Sequence, residues 1–203
     1  MKAGAIILSG GKSSRMGTNK ALLEINQKPN IERIASQLKR NFDELILVTN
    51  DPEAYQFLDL TTVSDRYPGK GPLAGIHAGL AASRCEVNLI VACDMPFIST
   101  ELALDLVNQI GNYDAVIPVI NGKQHPLFSV FKKKTIVKIE ESIKNNCLKM
   151  QSLVNHLDVL YITENNLQEY TKNNLERIFF NMNHPNEYEH AKEWAKREQR
   201  EEI

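Results

Sequence analysis

What most constrains this chain is its alternation of short apolar runs with segments of helical period. Ala3–Leu8, Leu45–Thr49, Thr61–Ser64, Val87–Cys93 and Ala115–Ile120 read as strands. They are short and rich in apolar or β-branched residues, and Gly, Asn, Asp or Pro lie near their ends. Between them, Ile31, Ile34, Ala35 and Leu38 recur at helical spacing after Pro29. Leu102, Leu106, Val107 and Ile110 do the same after Ser99, a good N-cap. Leu73–Ser83 is built of small residues with Gly75 and Gly79, which let a helix approach a sheet closely. Such alternation predicts an α/β fold with a mostly parallel, Rossmann-like sheet covered on both faces, a three-layer α/β/α sandwich. Asn121-Gly122 signals a hairpin, with Leu127–Phe131 as its antiparallel return.

The rest of the chain reads less regularly. Ala21–Ile25 is expected as a short extended piece, Ile136–Ile143 and Met150–Leu157 as helices, and Val159–Thr163 and Ile178–Asn181 as strands. From Asn186 to Ile203 the Lys, Arg and Glu run reads as a helix with a solvated face. A length of 203 residues fits a single domain.

Ligands of parallel α/β sheets bind outside the carboxyl ends of the strands. Gly10, Asn50, Asp65 and Asp94 each follow a strand candidate, so one rim should gather them. The first of these strand ends opens the stretch Leu8-Ser9-Gly10-Gly11-Lys12-Ser13-Ser14-Arg15-Met16-Gly17-Thr18-Asn19-Lys20. An adjacent glycine pair followed by three cations, with the hydroxyls of Ser13, Ser14 and Thr18 between them, suits a nucleoside triphosphate. Exposed N–H groups form an anion-binding concavity, and Lys and Arg neutralise phosphate charge. A glycine turn with solvated charges is the simpler alternative, but it leaves this combination unexplained. A Walker A loop is excluded, because its first glycine would fall at Ile6 inside the strand. Gly69-Lys70-Gly71-Pro72-Leu73-Ala74 matches a dinucleotide fingerprint, with Asp94 as the ribose carboxylate, and competes for the site.

A net charge of −1 provides no global field for nucleic acid, and no apolar run approaches a membrane span. Cys85, Cys93 and Cys147 have no paired spacing. With no signal segment at the N-terminus, they predict reduced thiols in a cytoplasmic protein. Asp94, held by Met95-Pro96, is the metal candidate: one carboxylate, triphosphate oxygens and water can complete a Mg²⁺ shell. The alternative for Asp94 is a cap on the helix near Ser99. Asp65 could hold a ribose hydroxyl or make a turn, and Asn50 could contact base or sugar. His125 lies beside the hairpin, whereas His77, His156 and His190 fall in helical stretches as structural or exposed residues. No general base stands out, and attack by a phosphate oxygen needs none.

Leu8-Ser9-Gly10-Gly11-x-Ser13-x-Arg15-Met16-Gly17-x-x-Lys20 resembles the signature of sugar-nucleotide-type nucleotidyltransferases. Gly71-Pro72-Leu73-Ala74-Gly75-Ile76, Cys93-Asp94-Met95-Pro96-Phe97, His125-Pro126-Leu127 and Asn181-Met182-Asn183-His184-Pro185 narrow it to the molybdenum cofactor guanylyltransferase family. The resemblance runs from Ala3 to about Tyr188, departing at His184, where the family often has Thr. It implies transfer of GMP from GTP to the phosphate of molybdopterin, with Mg²⁺ as cofactor. Carried over, Leu8, Ser9, Gly10, Gly11, Lys20, Asn50, Asp65 and Asp94 contact the nucleotide, and Asp94 holds the metal. Lys20, Arg15 and Asp94 are the expected catalytic residues, and His125, Asn181 and Asn183 face the acceptor. The resemblance also implies a nucleotide half at about 1–110, an acceptor half at about 111–203, and transient contacts with other cofactor-synthesis proteins. Three other activities compete: a cytidylyl-type relative using CTP or another phosphorylated acceptor, a dinucleotide oxidoreductase, and a GTP sensor without turnover.

Overall fold

The computed structural model describes residues 2–10 and 19–201. Strand β1 (Ala3–Leu8) is buried along its whole length, as an apolar run without polar alternation requires. It lies at the centre of an eight-stranded sheet, paired in parallel with β4 (Glu44–Val48) and β6 (Val87–Ala92). Beyond β4 comes β5 (Thr61–Val63), also parallel. On the other side, β9 (Phe128–Lys132) runs antiparallel between β6 and β7 (Ala115–Ile120), and β10 (Val159–Thr163) closes that edge parallel to β7. The sheet is therefore mostly parallel, as expected.

Its two faces are sorted by residue parity. Ala3, Ala5 and Ile7 of β1 share a core with α1 (Asn30–Leu38), α3 (Thr100–Asn108) and α6 (Lys172–Ile178). Ile6 and Leu8 share the opposite core with α2 (Pro72–Ala82), α4 (Ile136–Lys144) and α5 (Met150–Val154). The result is the three-layer sandwich. Ile31, Ile34, Ala35 and Leu38 are all buried, so the helical period of α1 was read correctly. Ser99 caps α3, accepting a bond from the Leu102 N–H at 3.1 Å, which leaves Asp94 with no such role. Gly79 sets the closest approach of helix to sheet: a Cβ there would lie 2.3 Å from Ile6 Cγ2.

The hairpin forms at Asn121 and Gly122, both at positive φ. Its immediate return is the two-residue β8 (Lys123–Gln124), after which the chain steps sideways to enter β9 at Phe128. Ala21–Ile25 is only partly extended: Lys20–Leu22 form a 3₁₀ turn, and β2 (Glu24–Ile25) pairs with β3 (Lys28–Pro29). His156 lies just beyond α5, which ends at Val154.

Ile178–Asn181 is not a strand. Ile178 ends α6, and no strand pairs with the following segment. Its apolar residues pack individually: Ile178 and Phe179 are buried, Phe179 against His125 and edge-on to Phe128, and Phe180 packs on Trp194. The terminal helix α7 (Pro185–Glu201) is polar on its exposed side but buries Ala191 and Ala195 beside Met182.

Candidate active site at the carboxyl rim

The sheet order places the strand ends as Asp65, Asn50, Ser9 and Asp94 in sequence across one rim. At its β5 end, Asn50 and Asp65 hold each other. The Asn50 amide donates to Asp65 Oδ2 at 3.3 Å, and the Asp65 N–H donates back to Asn50 Oδ1 at 3.1 Å. Asp65 Oδ1 reaches over the start of α2, 3.7 Å from where a Gly75 Cβ would stand. The loop before α2 turns through Gly69 and Gly71, both at positive φ, and Pro72 occupies the first turn, where a missing N–H is harmless.

That topology removes the dinucleotide competitor. Five residues separate β5 from Gly69, and β6, which carries Asp94, lies beyond both β4 and β1. The fingerprint needs its glycines directly after a strand and its carboxylate at the end of the neighbouring one.

At the centre, Leu8 and Ser9 continue the sheet. The Leu8 carbonyl accepts from the Cys93 N–H at 3.1 Å, and the Ser9 N–H donates to Val48 at 2.9 Å. The Ser9 amide is thus committed to the sheet, and its hydroxyl donates to the Tyr55 hydroxyl oxygen at 2.6 Å. Gly10 keeps an ordinary φ, and among the described residues nothing lies within 4 Å of a Cβ built on it. Its contribution is open space rather than left-handed backbone. Gly11 and Arg15 lie outside the described residues.

On the β6 side, Asp94 and Lys20 meet. Lys20 Nζ lies 3.9 Å from Asp94 Oδ2 and donates to Asn183 Oδ1 at 2.9 Å. Both side chains are mostly buried, Lys20 at 18% and Asp94 at 21% exposure. Burial raises the Asp94 pKa above its ordinary value, against the lowering pull of Lys20. Its Oδ1 is buried without a hydrogen-bond partner among the described residues. The backbone of this corner is pinned from two sides. Asn30, fully buried at the start of α1, donates to the Cys93 carbonyl at 2.8 Å, and the Met182 N–H donates to the Asp94 carbonyl at 2.9 Å. Glu187 accepts from the N–H groups of Asn183 and His184, fixing the turn that carries Asn183 to Lys20.

A buried, acceptor-only oxygen with no donor fits one ligand position of a hard divalent cation. No group of three His, Cys, Asp or Glu gathers among the described residues to hold a metal, at this corner or elsewhere. Asp94 would then be joined in the shell by phosphate oxygens and water.

The other expected groups are more constrained. His125 packs on Phe179 at 4.5 Å between ring centroids, and burial, aided by Lys123, presses its pKa down to about 4. It is neutral at physiological pH. The Asn181 amide donates to the Phe179 carbonyl at 3.0 Å, leaving its oxygen available. Cys93 remains a protonated thiol, pushed up to about 12 by burial and next by Asp94. His77 is buried against Tyr67, a structural placement. Asn30, Tyr55 and Glu187 were not singled out from sequence. Asn30 and Glu187 occupy ordinary helix-start positions, and Tyr55 lies in a 3₁₀ turn with no motif around it.

A mostly parallel sheet with a carboxylate and an ammonium together at its carboxyl rim is an α/β nucleotide-binding layout. The chain belongs to the family of MobA-like NTP transferase domains, which matches residues 5–159. A Pelotomaculum thermopropionicum protein named "probable molybdenum cofactor guanylyltransferase" is 39% identical over 96% of this chain and 94% of its own length. One of the same name from Clostridium perfringens is 37% identical over 93% of this chain and 96% of its own. The crystal structure of molybdopterin-guanine dinucleotide biosynthesis protein A from Archaeoglobus fulgidus superposes with a TM-score of 0.82 at 24% identity. It covers 96% of this chain and 99% of that one, and shows the same fold. No helix among the described residues is long and apolar enough to cross a membrane.

Proposed function

We propose that this enzyme transfers GMP from GTP to the terminal phosphate of molybdopterin, releasing pyrophosphate and leaving a guanine dinucleotide form of the cofactor. The observation that carries the reading is the Asp94–Lys20 corner. There an unpartnered, buried carboxylate oxygen stands beside an ammonium at the rim where α/β sheets bind nucleotides. The relatives' names supply the nucleotide and the acceptor.

Asn50 and Asp65 hold the nucleoside, while Leu8, the Ser9 hydroxyl, Gly10 and Gly11 border the phosphates. Arg15 and Lys20 neutralise the triphosphate. Asp94 would hold Mg²⁺, which would supply positive charge against the negative charge that grows on the phosphate oxygens. Asn181, Asn183 and His125 face the acceptor, so the chain divides functionally at about residue 110. An acceptor phosphate oxygen attacks the α-phosphorus, the bond to the bridging oxygen breaks, and pyrophosphate leaves with the electron pair. The attacking oxygen is already anionic, so the step depends on positioning and charge rather than on proton removal. A neutral His125 beside it adds no competing charge. The enzyme works in the cytoplasm, where other cofactor-synthesis proteins hand over the labile pterin.

Calorimetric titration of GTP, ATP, CTP and UTP with Mg²⁺, followed by pyrophosphate release with molybdopterin, tests the reading. GTP should bind tightest and alone support rapid release. Tighter binding and faster transfer of CTP would move the protein to the cytidylyl branch, and GTP binding without release would make it a sensor.

A further inference from the structure

Tyr55 links two residues that lie on either side of the cationic loop in sequence. Its hydroxyl is 2.6 Å from Ser9 Oγ, just before that loop, and accepts from Asn19 Nδ2 at 2.8 Å, just after it. The ring itself is rigidly seated. It is 2% exposed in the core that contains Ala5, Ile7 and Leu47, on the 3₁₀ turn Glu53–Leu58 that follows Asn50.

The orientation of Asn19 is fixed independently. Its Oδ1 accepts from the Ala21 N–H at 3.1 Å as the cap of the turn that carries Lys20, so its amide nitrogen must be the end that reaches Tyr55. Tyr55 therefore holds one side of the cap from which Lys20 projects. One phenolic lone pair is then occupied, and the phenol keeps its proton, since burial raises its pKa above the usual value. The Ser9 hydroxyl donates to the other lone pair at 2.6 Å, so one phenolic oxygen anchors both residues.

We propose that Tyr55 is a positioning residue for nucleotide transfer: its hydroxyl ties Ser9 to Asn19, setting the Ser9 hydroxyl and the Lys20 turn at a common spacing for the triphosphate. The inference rests on the nucleotide site proposed above. Ser9 is half-buried and Asn19 exposed, so water can replace the phenol as a partner without unfolding the chain. What water cannot do is hold both residues to one atom.

Tyr55→Phe keeps the buried ring and removes only the tie. The expected result is a loss of roughly ten- to a hundredfold in kcat/KM for GTP, the scale of one or two hydrogen bonds. KM for the acceptor and the unfolding midpoint should stay near wild type. Asn19→Ala, which removes the tie and also the cap on the Ala21 N–H, should lose at least as much, and the double variant should lose no more than Asn19→Ala alone, because Tyr55 acts through Asn19. Hydrogen exchange provides a readout that does not depend on the reaction: the Ala21 amide, bonded to Asn19, should exchange faster in Tyr55→Phe. Wild-type kinetics or additive losses in active enzyme would overturn the proposal, and so would unchanged Ala21 exchange. If the wild-type chain does not turn over GTP, the reaction assigned above fails, and the exchange measurement still decides whether Tyr55 holds this turn.

Discussion

Asp94→Asn separates chemistry from folding at one atom. In the native protein the Asp94 carboxylate stands 3.9 Å from Lys20 Nζ, an attraction of about 4 kcal/mol at the effective dielectric that suits partly buried sites. Burial opposes it and prevails, since the Asp94 pKa lies above its ordinary value. Removing the charge therefore gives up the attraction and recovers a larger desolvation cost. Lys20 still donates to Asn183 at 2.9 Å, so its ammonium keeps a hydrogen-bond partner when the carboxylate charge is removed. The stability change should be within about 1 kcal/mol or in favour of the variant, a midpoint shift of no more than about 4 °C for a chain this size. Activity should respond quite differently. An amide cannot replace the charge a hard cation requires, and pyrophosphate release should fall by roughly a hundred- to a thousandfold, the scale of losing a preorganised transition-state contact. Thermal unfolding and pyrophosphate release measured on the same preparation decide the matter. Near-normal release from a stable variant would refute the role of Asp94 in the chemistry, and a large fall in midpoint would make the carboxylate structural.

Three further outcomes follow from the same structure. Lys20→Ala should lose roughly ten- to a hundredfold in pyrophosphate release, because a charge-assisted contact of about 1.5–3 kcal/mol disappears; unchanged kinetics would place Lys20 outside the site. Gly79→Ala should lower the urea midpoint. Its Cβ would meet Ile6 Cγ2 at 2.3 Å in a filled core, and an overpacking cost of about 1–3 kcal/mol outweighs the helix-propensity gain of at most about 1 kcal/mol, so a raised midpoint would contradict the packing described. His125 should make stability depend on mildly acidic pH. Its folded pKa is about 4 against an ordinary 6.5, so its contribution is complete above pH 6.5 and is lost as pH falls towards 4, by about 2–3 kcal/mol at most. His125→Gln should flatten that part of the stability profile, and an identical profile would show that the ring titrates normally.

Much of the carboxyl rim was legible because its residues sit at strand ends. A strand's apolar run announces itself locally, and whatever follows it falls on the rim; Asn50, Asp65 and Asp94 needed no more than that. The choice between Ser99 and Asp94 as helix cap was also open to sequence, since the cap lies immediately before its helix. The segment after α6 was harder. Ile178–Asn181 has strand composition, yet among the described residues it has no strand partner, and its rings are taken up separately, Phe179 by His125 and Phe128 and Phe180 by Trp194. Composition reports that a segment is buried, and whether it pairs depends on a neighbour elsewhere in the chain.

Sequence alone thus determined the layered α/β class, the faces of α1 and α3, the close approach allowed by Gly79 and the identity of the rim residues. These depend on local period, on caps and on residue size. Tertiary structure decided how the rim is held together. The sheet order put β6 next to β1, and so brought Asp94 up to Lys20 while separating it from Gly69 and Gly71. It brought Asn183 to Lys20 and Tyr55 to Ser9 and Asn19, pairs distant in sequence. A hydrogen bond between such residues leaves no periodic trace in the chain, because its geometry exists only once the strands and helices that carry its two ends have packed.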